Sequence, residues 1–95
     1  MRISIEAITK TLRCHLPDDA VLHVIDESQL HYGHAGYNEE IGVTHVAITL
    51  TWKVFNGVRQ LERQRTLNLW LADLFKVGLH AVSYTLKAPG EATSL

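Results

Sequence analysis

Residues 43–52, VTHVAITLTW, alternate without a break. Val46, Ile48, Leu50 and Trp52 point one way, and His45, Ala47, Thr49 and Thr51 point the other, because successive side chains of a pleated strand take opposite faces. One buried and one wet face is the pattern of a strand with an antiparallel neighbour. The segment therefore predicts a sheet covered on one side only. The rest of the chain must supply the cover.

Working toward the N-terminus, residues 20–26 (AVLHVID) are short and β-branched, and read as a second strand. Before them Ile5, Ile8, Leu12 and Leu16 recur at helical spacing. Ser4 is placed as N-cap with Glu6 in the first turn, and Pro17, Asp18 and Asp19 close the segment. Toward the C-terminus, residues 53–57 form a turn. Residues 58–77 are the main helix, with Val58, Leu61, Leu67, Leu71, Leu74 and Phe75 on its inner side. Gly78 stands where a terminating glycine is expected. Residues 79–87 make the last strand, with Val82, Tyr84 and Leu86 facing in, and the polar tail 88–95 is expected to be loose.

A strand, a helix and another strand in one sheet favour a right-handed parallel crossover. The first two strands can pair antiparallel across the loop between them. The predicted fold is α+β: an αββαβ core, with a three-stranded mixed sheet and helices packed on one face. A single domain covers residues 1–95, with its core from about 3 to 88.

Composition narrows the function. A chain that is 46% hydrophobic with a net charge of −1 has too much apolar content for disorder. The same charge removes any global case for a nucleic-acid or membrane binder and leaves only a local basic patch. One cysteine, Cys14, excludes an internal disulfide and any all-thiolate metal site made by this chain alone. Cys14 lies near a helix C-terminus, where the dipole does not activate a thiol, and reads as unreactive. A reducing compartment follows, cytoplasm or organelle matrix. No signal-peptide pattern opens the chain, and no run approaches the roughly 20 apolar residues of a membrane span.

Six histidines need explaining. Residues 27–42, ESQLHYGHAGYNEEIG, form a connection far longer than the usual 4–6 residues. It carries His31 and His34. A loop histidine is by default a solvated polar residue. A closed zinc site from this pair would need further ligands, and no nearby cysteine supplies them. His80 opens the last strand, which the parallel crossover sets beside the start of the second strand, at the loop's end of the sheet. His45 alternates to the wet face and reads as a structural or surface residue rather than a ligand. His23 is an ordinary strand residue, and His15 suits a helix C-terminus.

Four segments then fall in order. They are Val24-Ile25-Asp26-Glu27-Ser28; the histidine- and glycine-bearing loop ending in Thr44-His45-Val46; Phe55-Asn56-Gly57 leading to Arg63-Gln64-Arg65; and His80-Ala81-Val82. Together they resemble the BolA family, from about Ile8 to Glu91. The resemblance implies a class II KH-like fold and partnership with a monothiol glutaredoxin. It further implies a [2Fe–2S] cluster held between the two proteins, with thiolates from the glutaredoxin and glutathione. His80 and His31 would be this chain's ligands, with His34 the alternate. Two imidazoles on one iron, as in Rieske centres, raise its potential. The chain departs from the family pattern at Gln64, where a histidine is usual, and at Val46, where an aromatic is usual.

Lys53, Arg59, Arg63 and Arg65 cluster at the start of the main helix, with Arg59 and Arg63 four apart on one face. They read as a solvated face, as a partner-docking surface or, in the second hypothesis, together with the wet sheet face as the DNA-contacting surface of a transcriptional regulator. The Gly-x-x-Gly clamp of RNA-binding KH domains is missing at Phe55-Asn56-Gly57-Val58. No nucleophile elbow, phosphate loop or His-Glu-x-x-His supports catalysis. The expectation is a non-enzymatic, soluble protein, monomeric when free.

Overall fold

The computed structural model describes residues 2–31 and 41–91, with their side chains except those of Leu30 and His31. The elements run α1 (Ile5–Arg13), β1 (Val21–Asp26), a short 3-10 turn (Ser28–His31), β2 (His45–Thr51), a second 3-10 turn (Lys53–Phe55), α2 (Gln60–Trp70), α3 (Ala72–Val77) and β3 (Ala81–Lys87). The sheet order is β1-β2-β3. β1 pairs antiparallel with β2, from Val21↔Thr51 to Asp26↔Val46. β2 pairs parallel with β3, from His45↔Ala81 to Thr51↔Lys87. The mixed α+β sheet predicted from the alternation and the parallel crossover is the one observed.

One apolar cluster joins Ile8 and Leu12 of α1, Leu67 of α2 and Leu74 of α3 to Val46, Ile48 and Leu50 of β2 and Leu86 of β3. Burying such side chains is the main favourable term in folding, at about 25 cal/mol per Å² of apolar surface. The opposite face of the sheet exposes His23, Ser83 and Thr85. Ser4 caps α1 as expected, its hydroxyl accepting the Ala7 amide at 3.0 Å. No helix among the described residues is long and apolar enough to cross a membrane.

The differences from expectation have local causes. The long helix breaks at Leu71, where φ −95° and ψ 3° end α2 and α3 begins. Leu61 is not inward but 56% exposed. The buried line of the helix pair is Arg63, Leu67, Leu71 and Leu74, spaced by four, four and three. That line excludes position 61. The tail is not loose throughout, since Glu91 pairs with Arg63. Residues 92–95 lie outside the described residues.

The N-terminus holds a contact that periodicity did not suggest. The Ile3 amide donates to the Ile41 carbonyl at 2.6 Å, and the Val43 amide donates to the Ile3 carbonyl at 3.0 Å. Ile3 is buried. Gly42, bridged to Ile3, has φ +93°, and a Cβ there would run into the Ile3 carbonyl oxygen. Only glycine serves at such a position. The returning end of the long connection is thereby strapped to the chain's first residues.

Candidate metal-ligand site

The parallel pairing of β2 with β3 brings the starts of both strands together, and the antiparallel pairing of β1 adds its end to the same edge. Asp26, Ser28, Thr44, His45 and His80 therefore meet at one end of the sheet. Cys14 caps α1 and is exposed at the other end, near where β1 begins. The chain's thiol and its clustered imidazoles are separated by the length of the strands.

His80 is exposed, but its backbone is fixed. Gly78, at φ +143°, ends α3 with its amide on the Leu74 carbonyl, and buried Leu79 follows. The His80 amide then donates to the Thr44 carbonyl at 2.7 Å, and the Ala81 amide reaches the same oxygen at 3.1 Å. A rigid root with a solvent-facing ring suits a ligand offered to something outside the chain.

His45 overturns its expected place on the wet surface. It is buried, 3% exposed, although it keeps the strand parity of Ala47 and Thr49. Its Nδ1 lies 2.9 Å from the Thr44 hydroxyl, and its ring centroid stands 5.2 Å from that of His80, tilted by 54°. A polar partner on one ring nitrogen fixes the orientation of the imidazole, as around metal-bound histidines. Sequence reasoning set His45 aside. The Thr44-His45 pair ending the loop was the only signal that could have recovered it.

Ser28 is the second buried polar group here. Its hydroxyl accepts the Thr44 amide at 3.0 Å and the His45 amide at 3.3 Å, and lies 3.4 Å from the His45 carbonyl. Its own amide donates to the Asp26 carboxylate at 2.9 Å. The 3-10 turn that Ser28 opens ends at His31, whose backbone is thus set near this edge. The His31 side chain and the whole of His34 lie outside the described residues. Among the described residues, no group of three or more His, Cys, Asp or Glu could hold a metal ion together.

The basic cluster is dispersed. Arg63, expected on a surface face with Arg59, is 3% exposed. Its Nε donates to the Val58 carbonyl at 2.8 Å, its Nη1 to the Leu86 carbonyl at 3.1 Å, and both terminal nitrogens to Glu91 at 2.7 and 2.9 Å. Lys53 pairs with Asp19 at 3.3 Å and Arg65 with Glu62 at 2.8 Å. Arg59, preceding α2, stays exposed. The positive charge available for a phosphate backbone is smaller than the sequence count suggests.

The hydrogen bonds from Arg63, followed by the Ala88 amide, hold the Glu91 carboxyl down at about 2. A carboxyl lowered in the folded state stabilises the protein above its unfolded value, near 4.5, and that contribution disappears as pH falls toward 2. Thermal melts of the wild type and Glu91→Gln should therefore differ most above about pH 5 and converge toward about pH 2. A constant gap across that range would place the effect of Glu91 elsewhere than in its charge.

Comparison with known proteins follows the same segments. A family model described as BolA-like protein matches residues 12–91. A Sinorhizobium protein named only for its position 5′ of cobS is 35% identical over 72 residues, covering 76% of this chain and 77% of that protein. SufE-like protein 1 of Arabidopsis thaliana is 36% identical over 77 residues, 78% of this chain but 21% of that protein. Its solved BolA domain superposes with a TM-score of 0.74 at 34% identity, covering 93% and 94% of the two chains. The structure of BolA1 from the same plant gives a TM-score of 0.74 at 29% identity, over 97% and 98%.

Proposed function

The chain belongs to the BolA-like family, and from that premise we propose that it acts, without catalysing a reaction, as one half of a shared [2Fe–2S] site. A monothiol glutaredoxin and its bound glutathione supply the thiolates. This chain supplies His80 and a loop histidine, His31 or His34. The role served is assembly, trafficking or sensing of the cluster.

The observation that carries the reading is the root of His80. Its ring is exposed while its amide is bonded at 2.7 Å to the segment that ends the histidine-bearing loop. The donor chemistry fits half of a cluster site and not a whole one. The His45 and His80 imidazoles stand together at one end of the sheet, and the single thiol is not among them. Bound there, the cluster would supply redox and transfer chemistry. The chain's part is to present neutral nitrogen donors in a fixed direction. Protonated imidazole cannot bind metal, so ligation from this side is weakened by acid.

The test is reconstitution. With iron, sulfide and reductant, the isolated protein should stay colourless. An equimolar mixture with a monothiol glutaredoxin and glutathione should give a visible CD spectrum distinct from that of the glutaredoxin alone. A stoichiometric cluster on the isolated chain, or a mixture spectrum equal to that of the glutaredoxin alone, would sink the reading.

A further inference from the structure

We propose that Ser28 is a positioning residue for His80, acting through the peptide unit between Thr44 and His45; as a claim about ligation this rests on the shared-cluster reading, but the positioning itself can be measured without it. That peptide is planar and stiff. Its N–H side faces Ser28, with the His45 amide 3.3 Å from the Ser28 hydroxyl. Its C=O side faces β3, with the Thr44 oxygen accepting from His80 at 2.7 Å and Ala81 at 3.1 Å. A displacement on one side of the plate moves the other. The Thr44 hydroxyl, on the same unit, sits 2.9 Å from His45 Nδ1, and the His45 ring leans on that of His80 at 5.2 Å. Both the backbone and the ring of His80 thus take their reference from a plate that Ser28 pins.

Ser28 is itself held on two sides. It is 3% exposed, and its amide is bonded to Asp26 at the end of β1. It also opens the turn that ends at His31, so one hydroxyl ties the departing end of the loop to its return. Without that oxygen the buried amides of Thr44 and His45 lose an acceptor, and buried amides left unpaired drive local rearrangement. The straps from Ile3 act on residues 41 and 43, so on the β1 side the 44–45 peptide is then tied only indirectly, through the Glu27 amide on the His45 carbonyl one peptide further on at 2.9 Å.

The experiment uses the full chain in two settings. In the free protein, NMR should give a ring-to-ring NOE between His45 and His80 and a slowly exchanging His80 amide. Ser28→Ala should lose both, with an unchanged far-UV CD spectrum, and Ser28→Thr, which restores a hydroxyl, should regain them. In the reconstituted hetero-complex, Ser28→Ala should shift the EPR g-values of the reduced cluster and release the cluster about tenfold faster, the lower end of what loss of an orienting contact to a metal ligand costs. Ser28→Thr should stay within about twofold of wild type on the same scale. If Ser28→Ala does not fold, Ser28→Cys takes its place, since the longer contacts of sulfur should tilt the same peptide and shift the same signals. A folded Ser28→Ala or Ser28→Cys with wild-type NOE and amide exchange overturns the positioning role, whatever the complex does. Wild-type cluster spectra and release in a variant whose free-chain signals have changed overturn its bearing on ligation. A wild-type chain that forms no hetero-complex refutes the shared-cluster reading instead, and leaves the free-chain comparison to decide the role of Ser28.

Discussion

A hetero-complex reconstituted with His80→Ala should have the visible CD spectrum of the glutaredoxin homodimer. His80 is the one candidate ligand on a fixed root, and removing its ring leaves the iron on this side without its rigid donor. The loss should be nearly complete, because a single loop imidazole cannot hold the partner against a competing homodimer. Folding should survive. The ring is exposed, and the bond that anchors the residue uses its backbone amide, which alanine keeps. His31→Ala should be milder, since His34 stands three residues on, and His31→Ala/His34→Ala should match His80→Ala. Far-UV CD of each variant alone, beside cluster CD and EPR of each mixture, separates ligand loss from unfolding. Wild-type cluster spectra in His80→Ala would end the assignment. An altered but stable cluster would instead direct attention to His45, whose ring is 5.2 Å away.

That ambiguity traces to what a strand pattern can say. Alternation assigns His45 to a face, and it does keep the parity of Ala47 and Thr49. The pattern carries no information about what closes over that face at its end. Here the His80 ring lies against that of His45, from 35 positions later in the chain. The parallel crossover, by contrast, was legible. Strand–helix–strand order and the rule of handedness were enough to set the start of β3 beside the start of β2. The proximity of His80 to the loop's return followed from topology alone, before any side chain was considered.

The helix face was misread for a different reason. Helical spacing of apolar residues alone puts Leu61 on the inner side, because it is a leucine. The position four before Leu67 is Arg63, and an arginine on an inward line is discarded unless its partner is known. That partner, Glu91, is 28 residues away in a stretch read as loose tail. The same pairing undid both the buried face and the basic patch. Ile3 was lost similarly: its two bonds go to residues 41 and 43, and no local periodicity points there.

Among the described residues, Arg63 should therefore matter to stability more than any other charged one. Arg63→Ala is expected to destabilise the fold by about 3 to 4 kcal/mol, within the range for breaking a buried charged group out of its bonds. For a domain of this size that corresponds to a fall in Tm of roughly 15 °C or more. Four losses combine, the first being the paired bonds to Glu91 at 2.7 and 2.9 Å. The Val58 carbonyl loses a donor at 2.8 Å, the Leu86 carbonyl keeps only the Gln60 amide at 3.2 Å, and the stem and guanidinium leave the ring of Phe55, 5.4 Å away. Arg63→Met keeps the stem and should cost less, about 2 kcal/mol, most of it in the carbonyls left short of donors. Glu91 can turn to water, since its side chain is 38% exposed, so Glu91→Gln alone should be the mildest of the three. The double variant Arg63→Met/Glu91→Gln should cost less than the sum of its parts, because each single change already breaks the same pair. Urea unfolding followed by far-UV CD measures all four. An Arg63→Ala midpoint close to wild type would mean that the guanidinium is satisfied by water. Arg63 would then rejoin Arg59 and Arg65 as surface charge, and the case for a nucleic-acid-facing helix would have to be reopened.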